Sequence, residues 1–108
     1  MVTIDDFKKL EIRIGMVVSA EKVADADKLV KFVFDLGGGE QRQIIAGIAE
    51  FVSDPSTLIG KQMPLLINLE SRTFRGHESQ GMIVAVDVDG RPVFLYPSQK
   101  VPSGSIVK

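Results

Sequence analysis

The chain has 108 residues, of which 44% are hydrophobic and 25% are charged, with a formal net charge of -1. This length and apolar content predict one domain, residues 1–108, with a core of ordinary size. The absence of cysteine excludes disulfides, thiolate chemistry and cysteine-ligated zinc, and a single histidine is too few for an ordinary catalytic metal site. We therefore expect a site that uses no metal, thiol or other cofactor.

The N-terminal stretch MVTIDDFKKLEIR has acidic residues near its start and no long apolar run. It matches neither a signal peptide nor a membrane span, which predicts a cytoplasmic protein with no membrane partner. The near-neutral net charge, taken alone, argues against a nucleic-acid partner, for which a basic balance is the usual signature. Any phosphate-binding face would be local, near the slight basic excess between Lys61 and Gln80.

Period-two alternation dominates the first half of the chain. In LEIRIGMVVSAEKV, the apolar residues Leu10, Ile12 and Ile14 alternate with other residue types, which is typical of a half-buried strand. The stretches LVKFVFDL and QRQIIAGI predict two further strands, and the glycine-rich GGGE between them predicts that they form a hairpin.

The second half begins with a helix-start signal in DPSTLIG. Asp54 is a candidate N-cap, Pro55 occupies the first helical position and Gly60 is a stop signal, so a short helix or helical turn is expected. QMPLLINL and QGMIVAV predict strands, DVDGRP predicts a turn at Asp89 and Gly90, and VFLYP predicts a last strand. Short strands with regular turn signals and little helix predict an all-β fold, a small antiparallel barrel.

The same alternation predicts which side chains fill the barrel. The apolar residues on the inner face of each predicted strand are Ile12, Ile14, Val18, Phe32, Phe34, Ile45, Leu66, Ile83 and Val93.

Three stretches could suggest a metal site, a phosphate-binding loop or a catalytic pair, and each has a simpler structural interpretation. Asp25 and Asp27 could bind a metal, but without a third carboxylate at suitable spacing they fit a solvated turn or a cap better. LGGGE lacks the Lys-Ser/Thr ending of a phosphate loop and fits a hairpin turn. His77 and Ser79 suggest a base and a nucleophile, but no orienting partner lies nearby in the sequence, so we expect no catalysis.

Four stretches occur in order along the chain: LEIRIGMVVSAEKVADADKL, RQIIAGIAEF, LIGKQMPLLINLESRTFRGHESQGMIVA and VPSGSIV. Together they resemble the tRNA-binding domain found at the C-terminus of methionyl-tRNA synthetase and as free-standing structure-specific tRNA-binding proteins. The most specific run is Arg75 to Met82, which matches the family's RG-ESQGM in register. The resemblance covers nearly the whole chain. It implies a five-stranded oligonucleotide/oligosaccharide-binding (OB) barrel with a short helix and terminal extensions, tRNA binding and a homodimer.

One loop departs from the family pattern. The family commonly reads His-Pro-Asn-Ala-Asp-Lys-Leu where this chain reads VADADKL, from Val23 to Leu29. Asp25 therefore replaces an amide with an anion, which does not favour a phosphate contact.

In a five-stranded OB barrel, an oligonucleotide crosses the face of strands two and three and the loops beside it. With the resemblance, this predicts a tRNA-binding site formed by Lys28, Lys31, Arg42, Arg72, Arg75, Ser79, Gln80 and Met82. Arginine offers a planar fork to phosphate and can stack on bases, while serine and glutamine can bond sugar hydroxyls or base edges.

Each of these residues also has a structural interpretation. The basic side chains could be ordinary solvated surface charges, and Met82 would more often belong to a core. Gly76 and Gly81 are expected to serve a turn or a close backbone approach and not to contact RNA.

Two classes of function fit the sequence. The first is a non-catalytic tRNA-binding module, an appended domain or separate subunit whose partners are tRNA and a methionyl-tRNA synthetase catalytic chain. The alternative is a dimeric protein-interaction or chaperone-like module on the same barrel, since fold does not fix function. The near-neutral charge favours the alternative slightly, and the RGHESQGM run favours tRNA binding more strongly.

The segments before Leu10 and after Tyr96 exceed what one barrel needs, and the resemblance implies that they join two subunits.

Overall fold

A computed structural model describes all residues from 1 to 108, and strands form most of its regular structure. One short helix, α1, spans Ile4–Lys8, and two 3-10 helices span Ala49–Phe51 and Pro55–Leu58. The strands are β1 (Ile12–Lys22), β2 (Val30–Asp35), β3 (Gln41–Ala46), β4 (Gln62–Leu66), β5 (Arg72–Phe74), β6 (His77–Ser79), β7 (Met82–Ile83), β8 (Ala85–Val88), β9 (Arg91–Phe94) and β10 (Ile106–Val107). No helix has the length and apolar character needed to cross a membrane.

The central sheet curls into a nearly closed barrel. Its strand order is β3-β2-β1-β4-β7, every neighbouring pair is antiparallel, and β10 adds to β1. The barrel closes where β3 meets the chain just before β7, since the Gln80 N–H donates to the Gln43 carbonyl at 2.8 Å. The all-β prediction is confirmed, and the five strands are compatible with an OB barrel.

Two hairpins stand outside the central sheet. Hairpin β5–β6 is inserted between β4 and β7, and hairpin β8–β9 follows β7. The prediction that QGMIVAV forms one strand is therefore wrong. This stretch contains β7 and the start of β8, which belong to different sheets. The two strands separate at Val84, whose N–H bonds the Pro64 carbonyl at 2.9 Å.

The barrel core is filled by side chains from the inner faces of the curled sheet. The rings of Phe32 and Phe34 stack with centroids 5.4 Å apart. The core prediction is confirmed for Phe32 and Phe34, whereas Ile14 and Ile45 are buried but lie outside the central core cluster. The other predicted members of the sheet, Ile12, Leu66 and Ile83, are half-buried.

The core prediction is wrong at Val18 and Val93, which are 42% and 49% exposed. A Cβ at Gly15 would meet Leu65 and Phe34, so Gly15 and Val17 lie on the inner face of β1 and Val18 lies on the outer face. The bulge between Val17 and Ser19 comes only after these residues. Val93 pairs with Val86 in hairpin β8–β9, outside the central sheet. Alternation separates the two faces of a strand but does not say which one is the inner face, so the prediction can be wrong by one residue.

Two predicted turns are confirmed. The Asp54 side chain accepts the Ser56 N–H at 3.1 Å and caps the 3-10 helix that starts at Pro55. Asp89 and Gly90 join β8 to β9 with φ values of 50° and 83°. Two consecutive positive φ values are typical of the type I′ turn that suits a two-residue hairpin.

The two chain ends lie together outside the barrel. Thr3 caps α1 in a capping box with Asp6, an element the sequence analysis did not predict. Hydrogen bonds from Thr3 and Lys9 lower the pKa of the exposed Asp6 carboxyl from its ordinary value. At the other end, β10 pairs with the start of β1. Helix α1 and β10 border one apolar groove.

Candidate nucleic-acid interface

A cleft of about 580 Å³ lies between the β1–β2 loop and hairpin β5–β6. The loop contributes residues 26–29 and the hairpin contributes residues 73–75. Among the lining side chains, Lys28 and Arg75 are basic and Asp27 is acidic. These are the loops between barrel strands one and two and between strands four and five, the pair that binds oligonucleotides in OB folds.

The β1–β2 loop is held by short-range hydrogen bonds and by two buried side chains. The Val23 N–H bonds the Leu29 carbonyl at 3.0 Å, and the Ala26 N–H bonds the Val23 carbonyl at 3.2 Å. Val23 and Ala26 point inward, with 9% and 6% exposure. The Lys28 carbonyl accepts the Ala49 N–H at 3.0 Å, so the backbone at Lys28 is fixed while its side chain is exposed.

The two acidic side chains of this loop face solvent. Asp25 and Asp27 are both exposed, in agreement with the interpretation as a solvated turn. No group of three or more potential metal-ligating side chains comes together in the structure.

Arg75 occupies the tip of hairpin β5–β6. Phe74 pairs with His77, so Arg75 and Gly76 form a two-residue turn with φ values of 50° and 82°. Such turns favour Asn-Gly or Asp-Gly, because a side chain at positive φ is sterically disfavoured. The strained position projects a charged side chain at the tip of the hairpin. The prediction that Gly76 serves a turn is confirmed.

The basic side chains at the cleft carry charges that no carboxylate neutralises. Lys28, Arg72 and Arg75 take part in none of the ion pairs of the structure. The Arg72 guanidinium lies 4.9 Å from the centre of the Phe74 ring, in a cation–π contact. The aromatic ring therefore orients Arg72 without cancelling its charge.

Lys31 lies in an adjoining cavity of about 230 Å³. Its Nζ is 3.5 Å from the Glu21 carboxylate, which partly neutralises it. Lys22 and His77 also line this cavity, and the sequence analysis did not place either of them in an RNA site. The signal that could have identified this surface is the combination of the lysines of β1 and β2 with the rings of Phe74 and His77 in the TFRGH stretch.

Ser79 and Gln80 lie where β3 meets the inserted segment. Ser79 is 4% exposed, and its Oγ accepts the Ile45 N–H at 3.0 Å and donates to the Gly81 carbonyl at 3.1 Å. The Gln80 Oε1 accepts the Gln43 N–H at 3.0 Å. We call the hydrogen bonds of residues 42–45 with residues 67 and 78–80 the closure seam.

Arg42 also belongs to the closure seam. Its guanidinium donates to the Ile67 carbonyl at 2.8 Å and to the Gln80 carbonyl at 3.3 Å. It also pairs with the Glu40 carboxylate at 3.1 Å. Arg42 is therefore half-buried and has several protein partners, unlike Arg72 and Arg75.

The last predicted site residue, Met82, is 47% exposed on β7. It lines a separate cavity of about 230 Å³ with Ile48 and the start of hairpin β8–β9. Next to it, Gly81 has a φ of 138°, and a Cβ there would lie 2.7 Å from the Leu66 carbonyl oxygen. The prediction that Gly81 serves a close backbone approach is thus confirmed.

The structure therefore divides the predicted site residues into separate groups. Lys28 and Arg75 line the cleft, Arg72 stacks on its Phe74, and Lys31 lies in the adjoining cavity. The remaining residues lie at the closure seam or beyond it: Arg42, Ser79, Gln80 and Met82.

Comparison with known proteins identifies the family of the chain. Residues 12–106 match the family model described as a putative tRNA binding domain. A methionine–tRNA ligase from Archaeoglobus fulgidus is 48% identical over 98% of this chain, which spans only 16% of that relative's length. The family match supports the tRNA-binding hypothesis over the interaction or chaperone-like alternative.

Two solved structures have the same fold over the whole chain. A MetRS-related protein from Pyrococcus horikoshii is similar with a TM-score of 0.92 at 34% identity, covering 100% of this chain and 98% of that one. The chaperone CsaA from Bacillus anthracis is similar with a TM-score of 0.89 at 28% identity, covering 100% and 99%. The chain belongs to the putative tRNA-binding domain family.

Proposed function

We propose that this chain is a non-catalytic module that binds folded tRNA in the cleft between the β1–β2 loop and hairpin β5–β6. The observation that carries the proposal is the presence of un-neutralised cations on both walls. Lys28 stands on one side and Arg75 on the other, and Arg72 stacks on Phe74, which also lines the cleft. An OB barrel presents these two loops to oligonucleotides. Cations on both sides of an open cleft suit a phosphate backbone better than a small neutral ligand.

The net charge of -1 limits the number of phosphate contacts. Affinity therefore comes from a few local cations and from the fit of a folded RNA, with little anticodon preference. Lys31 adds a cation in the adjoining cavity, partly neutralised by Glu21, and Met82 offers an exposed thioether beyond the closure seam. A base can pack on such a flexible apolar group.

The test is binding of bulk tRNA by wild type and by Arg75→Ala at several salt concentrations. Loss of one phosphate contact should weaken binding to all tRNAs about equally and lower the salt slope by roughly one unit. The matched control is Arg91→Ala, which removes an equally exposed arginine from hairpin β8–β9 and should leave the slope unchanged. Salt-insensitive wild-type binding, or equal effects of the two variants, would contradict the proposal. Wild-type binding to an unstructured RNA of equal length should be weaker than to tRNA.

The proposal includes a homodimer joined through the chain ends. An apolar groove of about 390 Å³ between α1 and β10 is lined mainly by Ile4, Phe7, Leu10, Ile106 and Val107. Ile4 and Ile106 are 67% and 61% exposed, an unfavourable arrangement for apolar side chains at the two ends of one chain. A second copy covers both grooves at once if the two copies meet about a two-fold axis.

Light scattering at micromolar concentration should give twice the 11.8 kDa chain mass. Ile4→Lys with Ile106→Lys should give the monomer, because each charge would be buried at the interface. Ile59→Lys is the control, since Ile59 is 51% exposed and lies far along the chain from the groove. A monomeric wild type, or a dimer that survives both substitutions, would contradict the dimer.

We place this module in the cytoplasm as an appended domain or separate subunit of methionyl-tRNA synthetase. Support comes from the relatives, whose matching portion is only 15–16% of a longer ligase. Adding the chain to a synthetase catalytic chain that lacks such a domain should lower its KM for tRNA. Adding the Arg75→Ala variant should lower the KM for tRNA less than adding the wild-type chain. An unchanged KM with the wild-type chain would contradict this role.

A further inference from the structure

We propose that Ser79, Gln80 and Arg42 are positioning residues, which hold hairpin β5–β6 in its binding orientation and do not themselves contact RNA. The inference rests on the proposed function and assigns a different role to the ESQ part of the RGHESQGM run. The residues that touch RNA are then the cations of the cleft.

Ser79 is poorly placed to bind a ligand, because it is buried and its hydroxyl donor and one of its two acceptor lone pairs already have protein partners. Its side chain is 4% exposed, its hydroxyl proton goes to the Gly81 carbonyl, and its oxygen accepts the Ile45 N–H. Across the hairpin, Ser79 pairs directly with Arg72. The hydroxyl therefore anchors the base of the hairpin that presents Arg72 and, at its tip, Arg75.

Gln80 continues the same attachment. Its Oε1 accepts the Gln43 N–H, and in return the Gln43 Nε2 donates to the Glu78 carbonyl at 2.9 Å. Gln80 Oε1 and Ser79 Oγ thus take the place of the backbone carbonyls that a regular ladder between β3 and β7 would provide. The N–H groups of Gln43 and Ile45 would otherwise be left without partners where the chain diverges into the hairpin.

Arg42 fixes both ends of the inserted segment. Ile67 directly follows β4 and Gln80 shortly precedes β7, and one guanidinium nitrogen bonds the carbonyls of both residues. The Glu40 carboxylate neutralises the same guanidinium. Arg42 is thus a clamp at the base of the insertion, and its charge has a partner inside the protein.

The Ser79→Ala substitution separates positioning from contact because it removes no charge. If Ser79 bonded RNA, affinity would fall and the salt slope would stay unchanged. If Ser79 positions the hairpin, the phosphate contacts of Arg72 and Arg75 weaken with it. The expected result is about tenfold weaker tRNA binding and a salt slope reduced by about one to two units, one for each arginine affected.

Two further variants sharpen this measurement. In the Ser79→Ala background, Arg75→Ala should have much less effect than in wild type, because the contact is already lost. Ser71→Ala is the matched control: Ser71 is exposed just before β5, and its removal should change neither affinity nor slope. If Ser79→Ala fails to fold, Gln80→Met replaces it, since it also removes a seam acceptor without removing charge.

Amide hydrogen exchange gives a readout that does not depend on RNA. In Ser79→Ala, the amides of Ile45 and of residues 72–79 should lose protection while β1 and β2 keep theirs. If wild type shows no salt-sensitive tRNA binding, the proposed function fails, and the exchange result still decides whether the hydroxyl holds the hairpin. An unchanged salt slope, additive effects with Arg75→Ala, or unchanged protection of the hairpin would each overturn the positioning role.

Discussion

Gly76 and Gly81 in the RGHESQGM run allow the cost of an alanine substitution to be compared at two positions with different surroundings. At Gly81, with φ at 138°, a new Cβ would lie 2.7 Å from the Leu66 carbonyl oxygen and 3.5 Å from Ile44 Cδ1. At Gly76, with φ at 82°, no heavy atom lies within 4 Å. Both substitutions place a side chain at positive φ, and only Gly81→Ala adds overlap with a fixed backbone atom.

The expected costs differ by more than experimental error. Positive φ costs a non-glycine residue about 1–2 kcal/mol, and overpacking adds about 1–3 kcal/mol. We therefore expect Gly76→Ala to lower the free energy of unfolding by about 1 kcal/mol and Gly81→Ala by about 3 kcal/mol. With a urea m-value of about 1.5 kcal/mol/M, the midpoints should fall by about 0.7 M and about 2 M.

Urea denaturation followed by circular dichroism measures both variants against wild type. The m-value should stay the same, because the same surface is exposed on unfolding. Equal midpoint shifts for the two variants would refute the reasoning, since they would mean that the chain yields at Leu66 without cost. A larger loss for Gly76→Ala would refute it more strongly.

Three other outcomes follow from single contacts. Phe32→Ala should lower the free energy of unfolding by about 3–5 kcal/mol in urea denaturation, because its ring is fully buried; a loss below about 1 kcal/mol would contradict this. Gln62→Met should cost about 2 kcal/mol and deprotect the amides of residues 97–108 in hydrogen exchange. It leaves the Val101 carbonyl and N–H, now bonded at 2.6 and 3.1 Å, without partners. Unchanged protection there would argue against this. The pKa of the Asp54 carboxyl is lowered from 3.8, first by the hydrogen bond from the Ser56 side chain and then by that from its backbone. The cap is therefore intact above pH 3.8 and should be lost as the pH falls through the lower folded pKa. An NMR titration should show the Ser56 amide losing its bond in that range, and a titration at the ordinary pKa would contradict the bond.

The sequence was sufficient wherever a feature depended on neighbouring residues. Alternation located β1 to β4, the glycine run located the β2–β3 hairpin, and Asp54 with Pro55 located a helical turn. These signals succeed because turn and cap chemistry acts within a few residues. The same reasoning failed at Val18, because alternation does not say which face of β1 is inner, and the packing of Gly15 and Val17 against the core decides it.

The role of each residue in the RGHESQGM run depended on contacts between distant parts of the chain. The sequence by itself determined the family, the turn at Gly76 and the polar character of residues 75–80. Hydroxyl and amide groups, however, bond a sugar or a backbone N–H equally well, so their chemistry could not assign Ser79 and Gln80. Only the tertiary structure decided their partners, because barrel closure brings the N–H groups of Ile45 and Gln43 within 3.0 Å of them.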